Sequence, residues 1–157
     1  MTKKINPRPI LDSFRPAYHW LLAALAAIRY GFPSRHLTVI GVTGTNGKTT
    51  VVHFLDEIFS VAGHAVGSIS SLRIKIKDRE TENRLKMTMP GRFALQKFLA
   101  DCRRAGCTTV IVEVTSEGIK QFRHRFVRFQ GAVLTNIRPE HLEAHGTFES
   151  YREAKAE

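Results

Sequence analysis

One stretch restricts the possible folds more than any other: Gly41-Val42-Thr43-Gly44-Thr45-Asn46-Gly47-Lys48-Thr49-Thr50. It follows a β-branched run, residues 37–40, and leads into an amphipathic one, residues 51–62. Strand, glycine-rich loop and helix in that order are the setting of a phosphate-binding loop. The glycines let backbone N–H groups converge on an anion, and the helix N-terminus adds partial positive charge. Lys48 can reach the β- and γ-phosphates of a nucleotide, and the Thr49 hydroxyl can ligate Mg²⁺. The loop departs from G-x-x-x-x-G-K-[ST] in having Val42 where the first glycine belongs.

The remaining pattern alternates strand and helix. Val51, Val52, Phe54, Leu55, Ile58, Phe59 and Ala62 recur at helical spacing, and Gly63 closes that helix. Residues 65–70 read as a strand, and Leu72, Ile74 and Ile76 alternate with basic residues as a half-exposed one. Residues 78–84 read as a turn, with 85–87 as the returning arm of a hairpin. Phe93, Leu95, Phe98, Leu99 and Cys102 mark a further helix, ended by Gly106. Residues 108–114 form a continuous apolar run, the signature of a buried parallel strand, and 131–135 a further short strand. Thr147 can cap a last helix. The predicted class is α/β: a mostly parallel sheet with helices on both faces and a P-loop.

Ahead of this unit, residues 1–16 are basic and interrupted by Pro7, Pro9 and Pro16, an arm in which the prolines should break any helix. Residues 17–30 turn apolar and helix-prone, stopped by Gly31 and Pro33. The run is too short to span a bilayer, and no small-residue cleavage site follows it as in a signal peptide. Packing on the domain is preferred over contact with a membrane surface. The expected organisation is an arm and helix at 1–36 and an ATP-binding domain at 37–157.

The formal charge of +10 suits anionic partners. The basic residues are scattered and no nucleic-acid-binding motif is present, so specific nucleic-acid binding is not expected. Cys102 and Cys107 lack the second pair a zinc site needs, and read as reduced core thiols of a cytoplasmic protein.

Glu113 lies near the C-terminal end of the buried run, where ligands of parallel sheets bind, so it can approach Thr49 and complete a Mg²⁺ shell. An unpartnered carboxylate among valines would be costly to bury.

The loop sequence GTNGKTT resembles the ATP-binding loop of the Mur ligases, the amide-forming enzymes of peptidoglycan precursor synthesis. Three later segments strengthen the resemblance. Residues 113–118, Glu-Val-Thr-Ser-Glu-Gly, are similar to the family's E-V-S-S-H-A, with Glu117 for the histidine. Residues 135–146, Thr-Asn-Ile-Arg-Pro-Glu-His-Leu-Glu-Ala-His-Gly, resemble T-N-x-x-x-D-H-L-D-x-H-G, with Glu140 and Glu143 for two aspartates. Residues 151–155 resemble Y-x-x-A-K. Thr88-Met89-Pro90 falls where the tripeptide synthetases of the family, the MurE branch, carry T-T-P.

The resemblance implies ATP and Mg²⁺ held by Gly44, Thr45, Asn46, Gly47, Lys48, Thr49 and Thr50. It implies a first Mg²⁺ at Thr49 and Glu113, and a second at His141. Histidine is an unusual ligand for this hard cation, so that assignment rests on the family alone; Glu140 could orient the imidazole, and His145 reads as structural. Lys155 matches a lysine that Mur ligases carbamylate, giving a negative, oxygen-bearing group suited to Mg²⁺. Lys48, His141 and Lys155 are thereby the expected catalytic residues, and Thr88, Ser116 and Arg123 the expected contacts to a UDP-N-acetylmuramoyl peptide. The implied reaction passes through an acyl phosphate, which an amino acid's amine displaces. The family's UDP-binding and C-terminal domains have no counterpart in these residues, so the chain reads as a fragment inactive alone. Two alternatives stand beside this reading: a MurT-like amidotransferase subunit, whose typical zinc-binding cysteine quartet is missing here, and a non-catalytic nucleotide-binding module.

Overall fold

The computed structural model describes residues 8–84 and 87–137, with side chains from residue 15 onward. His141, Lys155, Glu140, Glu143, His145 and the helix expected after Thr147 lie outside the described residues.

Among the described residues, six strands form one sheet in the order β4-β3-β2-β5-β1-β6. They are β1 (Thr38–Thr43), β2 (Val66–Ile69), β3 (Arg73–Ile76), β4 (Arg79–Glu82), β5 (Thr109–Glu113) and β6 (Gly131–Leu134). β2, β5, β1 and β6 run parallel, while β3 and β4 extend the sheet as an antiparallel hairpin. Every residue of β5 is buried, as its central place requires.

The helices cover both faces, as the alternation predicts. α2 (Lys48–Val61) lies on one face, where Val42, Val52, Val66 and Ile111 form its core. α3 (Arg92–Arg104) covers the other, burying Leu95, Phe98, Leu99 and Cys102 against Val39, Val110 and Val112. α1 (Arg8–Tyr30) packs outside α3, with Ala23, Ala26 and Ala27 buried. A short α4 (Ser116–Lys120) follows β5. Cys102 and Cys107 are buried free thiols. Phe93 is 43% exposed, while Gln96 is buried on the same helix.

Each of the three longer helices ends the same way. Gly31, Gly63 and Gly106 take left-handed backbone, and the next residue's N–H reaches back to Ala27, Phe59 and Cys102 carbonyls respectively. This closure satisfies carbonyls the helix leaves unpaired. At the end of α4, Phe122 occupies the equivalent position at φ 54. A side chain there costs on the order of 1–2 kcal/mol, and the turn it makes directs Arg123 back toward the sheet.

Two expectations need correction. The helix before the domain begins at Arg8, not Ala17, and runs through Pro16. Pro9 lies in the first turn, where its missing N–H costs nothing. Pro16 forfeits one internal bond without ending the helix. The hairpin turns at Lys77 and Asp78, and its returning arm is Arg79–Glu82 rather than residues 85–87. β4 is exposed along its length. An edge strand that buries neither face carries no apolar alternation to announce it.

Candidate active site

The register of the sheet builds the site. Val42 near the end of β1 pairs with Glu113 at the end of β5, so the loop leaving β1 passes beside the carboxylate. Thr49, one residue into α2, donates its hydroxyl to Glu113 Oε2 at 3.0 Å. The same oxygen accepts the backbone N–H of Ser71 at 2.9 Å, and Ser71 Oγ lies 2.7 Å from Thr49 Oγ1. Glu113 is 2% exposed. Three oxygen-bearing side chains from three segments therefore meet at the carboxyl edge of the sheet. They are hard donors, and a Mg²⁺ ion needs only one or two protein ligands beside phosphate and water. The donor set fits that ion.

The loop itself is held from β6. Asn136 accepts the Thr45 N–H on its carbonyl at 3.0 Å and the Asn46 N–H on Oδ1 at 3.0 Å. Its Nδ2 donates to the Asn46 carbonyl at 3.1 Å, and Thr135 Oγ1 donates to the same carbonyl at 2.7 Å. Gly44 must be glycine: its φ is 143, and a Cβ there would stand 2.0 Å from Thr135 Oγ1. Clamped in this way, the loop leaves the first-turn N–H groups of α2, which no helical carbonyl can satisfy, facing the cleft. Gly47 starts that helix at φ 80. Lys48 Nζ donates to the Gly44 and Thr45 carbonyls at 3.1 and 2.8 Å, which holds its ammonium across the loop.

A cleft of about 720 Å³ opens here. The loop from Gly44 to Thr50 forms one wall; Thr88 and Met89, with Ser116, Glu117 and Arg123, form the other. All the described site residues expected from sequence thus border one cavity. Thr115 caps α4 by accepting the Gly118 N–H at 3.1 Å. Arg123 is 9% exposed and already engaged: Nη1 donates to the Met89 carbonyl at 2.6 Å and Nη2 to Gln121 Oε1 at 2.8 Å. It braces the 87–89 segment while facing the cleft. Arg92 donates to the Gln121 carbonyl close by. Burial, and then the Arg123 guanidinium, lower the Arg92 pKa. His19 on α1 is lowered by burial first, then by Arg92, Arg15 and Arg123. Among the residues that line this end of the cleft, Arg123 is the cation and Glu117 the acid.

Three contributors were not legible in the sequence. Ser71 follows a strand's carboxyl end, the position from which ligand contacts arise in such sheets, and that rule could have singled it out. Asn136 stood inside a quoted motif without a role. Asp56 is fully buried on α2; it accepts from Arg73 Nη2 at 2.6 Å, Lys75 Nζ at 3.0 Å and Ser68 Oγ at 3.0 Å. The cluster ties α2 to β2 and β3, on either side of the turn that carries Ser71. Next to it, His53 Nε2 lies 3.3 Å from Ser70 Oγ, and burial followed by the Arg73 charge pushes its pKa down.

Comparison with known proteins shows the family and the fold. The family model described as the Mur ligase middle domain matches residues 42–157. The chain belongs to the Mur ligase family. It is 41% identical over 137 residues to the UDP-N-acetylmuramyl-tripeptide synthetase of Treponema pallidum, covering 86% of this chain and 25% of that protein. It is 37% identical over 135 residues to UDP-N-acetylmuramoyl-L-alanyl-D-glutamate–2,6-diaminopimelate ligase 2 of Clostridium acetobutylicum, covering 85% of this chain and 28% of the relative. A solved structure of a UDP-N-acetylmuramoyl-L-alanyl-D-glutamate–2,6-diaminopimelate ligase superposes with a TM-score of 0.68 at 34% identity, over 76% of this chain and 24% of that one. FolC of E. coli, solved with DHPP and ADP, gives 0.66 at 25% identity over 85% of this chain and 37% of its own. This Mur ligase chain spans about a quarter of the length of the curated relatives it matches.

Proposed function

We propose that this chain is the ATP-binding centre of a cytoplasmic ligase that joins an amino acid to a UDP-N-acetylmuramoyl peptide. The observation that carries the reading is the meeting of Thr49, Ser71 and Glu113 beside a loop whose lysine is already held across it. ATP lies with its phosphates along residues 44–50, on the N–H groups that open α2. Mg²⁺ bound at Thr49 and Glu113 supplies neutralisation of phosphate charge. Lys48 faces the β- and γ-phosphates and stabilises charge that moves onto the departing oxygen.

The peptide's terminal carboxylate attacks the γ-phosphorus. A new O–P bond forms, the bond to the β-phosphate oxygen breaks, and ADP leaves. The amine then attacks the acyl carbon, phosphate departs, and the nitrogen loses its proton. The chain's part is to hold the two anions in line against their mutual repulsion. The Arg123 guanidinium suits an anionic nucleotide-sugar peptide, with Thr88 and Ser116 as hydroxyl contacts. By resemblance, His141 and a carbamylated Lys155 serve a second Mg²⁺.

Phosphate release from ATP, measured with and without UDP-N-acetylmuramoyl dipeptide on the full-length gene product, tests the reading. Acceptor-dependent release, lost in Lys155→Ala and partly regained with short-chain carboxylates, is the expected result. Release that ignores the acceptor contradicts it.

A further inference from the structure

We infer that the outward face of α1 docks this chain onto an anionic lipid surface. The inward face is a set of small buried residues, Ala23, Ala26 and Ala27. The opposite face should be polar if water were its only neighbour. Instead it presents Tyr18 (58% exposed), Leu21 (52%), Leu25 (46%) and Ile28 (64%), three and four residues apart. The spacing continues in the sequence at Phe14 and Ile10. Among the described residues no helix is long and apolar enough to cross a membrane. An amphipathic helix that shows a hydrophobic stripe to solvent while its other side packs on the domain has the form of an interfacial helix.

Charge selects the occupant. Arg15 and Arg29 are exposed near the two ends of the stripe. No Asp or Glu occurs between Asp12 and Asp56, and the first 36 residues carry six Lys or Arg against Asp12 alone. Each such cation near an anionic bilayer contributes about 1 kcal/mol. A second copy fits less well. Antiparallel pairing of two α1 faces would bring Arg15 of one beside Arg29 of the other, with no acid on either stripe. Trp20, half exposed and 5.4 Å from the Phe126 ring, adds an amphipathic aromatic at the edge of the face.

The patch also leads to the site. Leu22, Met87 and Phe93 line a shallow hollow beside α1, and Met87 lines the cleft as well.

Trp20 is the chain's single tryptophan, so its emission reports the encounter directly. The chain is mixed with vesicles of phosphatidylcholine and phosphatidylglycerol, or of phosphatidylcholine alone, and binding is read by co-sedimentation and by Trp20 emission. The expected result is binding and a blue shift on the anionic vesicles, weaker on the neutral ones and weakened by salt. The double variant Leu21→Glu/Leu25→Glu should lower the partition coefficient at least about tenfold, with the circular dichroism spectrum and nucleotide affinity unchanged. Arg15→Gln/Arg29→Gln, which spares the stripe, should reduce the preference for anionic lipid. No binding to either vesicle overturns the inference. So does binding that both double variants leave intact, or a dimer in sedimentation velocity that the leucine variant dissociates while vesicles stay unbound.

Discussion

Met89 fills the space that a side chain at Gly118 would need: a Cβ at position 118 would lie 2.3 Å from Met89 Sδ and 3.3 Å from Met89 Cβ. These are two of the positions at which the chain departs from the Mur motifs, methionine for threonine and glycine for alanine. The contact makes the departures interdependent. Met89 is fully buried and its carbonyl receives Arg123, so the pair sets the wall opposite the loop.

Gly118→Ala should therefore destabilise the fold by about 1–3 kcal/mol through overpacking. Met89→Thr alone should cost a similar amount by leaving a cavity. Together the two should cost less than their sum, since each relieves the other's defect. Urea denaturation of the four proteins checks this; strict additivity would show that the two positions do not share the space.

Removing the Asp56 carboxylate leaves Arg73 and Lys75 without their buried partner. Loss of one member of a buried pair costs about 3–5 kcal/mol. Arg73 and Lys75 retain side-chain exposures of 17% and 16%, which places Asp56→Ala toward the lower end. Asp56→Asn keeps acceptor geometry without charge and should fall between it and the wild type. Equilibrium unfolding measures both, and an unaffected Asp56→Ala would mean the cations relax to water.

Glu113→Gln and Thr49→Val should weaken nucleotide binding in the presence of Mg²⁺ by about ten- to a hundred-fold, the scale of losses at metal-site positions. Without Mg²⁺ the variants and the wild type should bind alike. Calorimetry with and without the cation separates the two conditions. An equal loss in both would indicate distortion of the loop rather than loss of metal binding.

The phosphate loop, the buried strand of Glu113 and the helices on both faces were legible because each carries a strong local pattern. Glycines stand where the backbone must turn, β-branched residues where a strand is buried, and apolar side chains at helical spacing where one face is covered. β4 was not legible because, buried on neither side, it has no pattern to show. The start of α1 was misread because Pro16 is a helix breaker by propensity, an effect the rest of this helix outweighs. Asp56 and Ser71 were silent for another reason. Nothing near Asp56 in sequence reveals that Arg73 and Lys75 will face it, and the Ser71–Thr49 contact spans 22 residues. Such pairings follow from topology, which the sheet order supplies.

The central claim is that residues 44–50 hold a nucleotide through Lys48. Titrating MgATP into the wild-type chain and into Lys48→Ala by isothermal calorimetry tests it most directly, with circular dichroism as a check on the fold. Saturable binding by the wild type and none by a folded Lys48→Ala is the predicted result. Equal affinity in the two proteins would contradict the account.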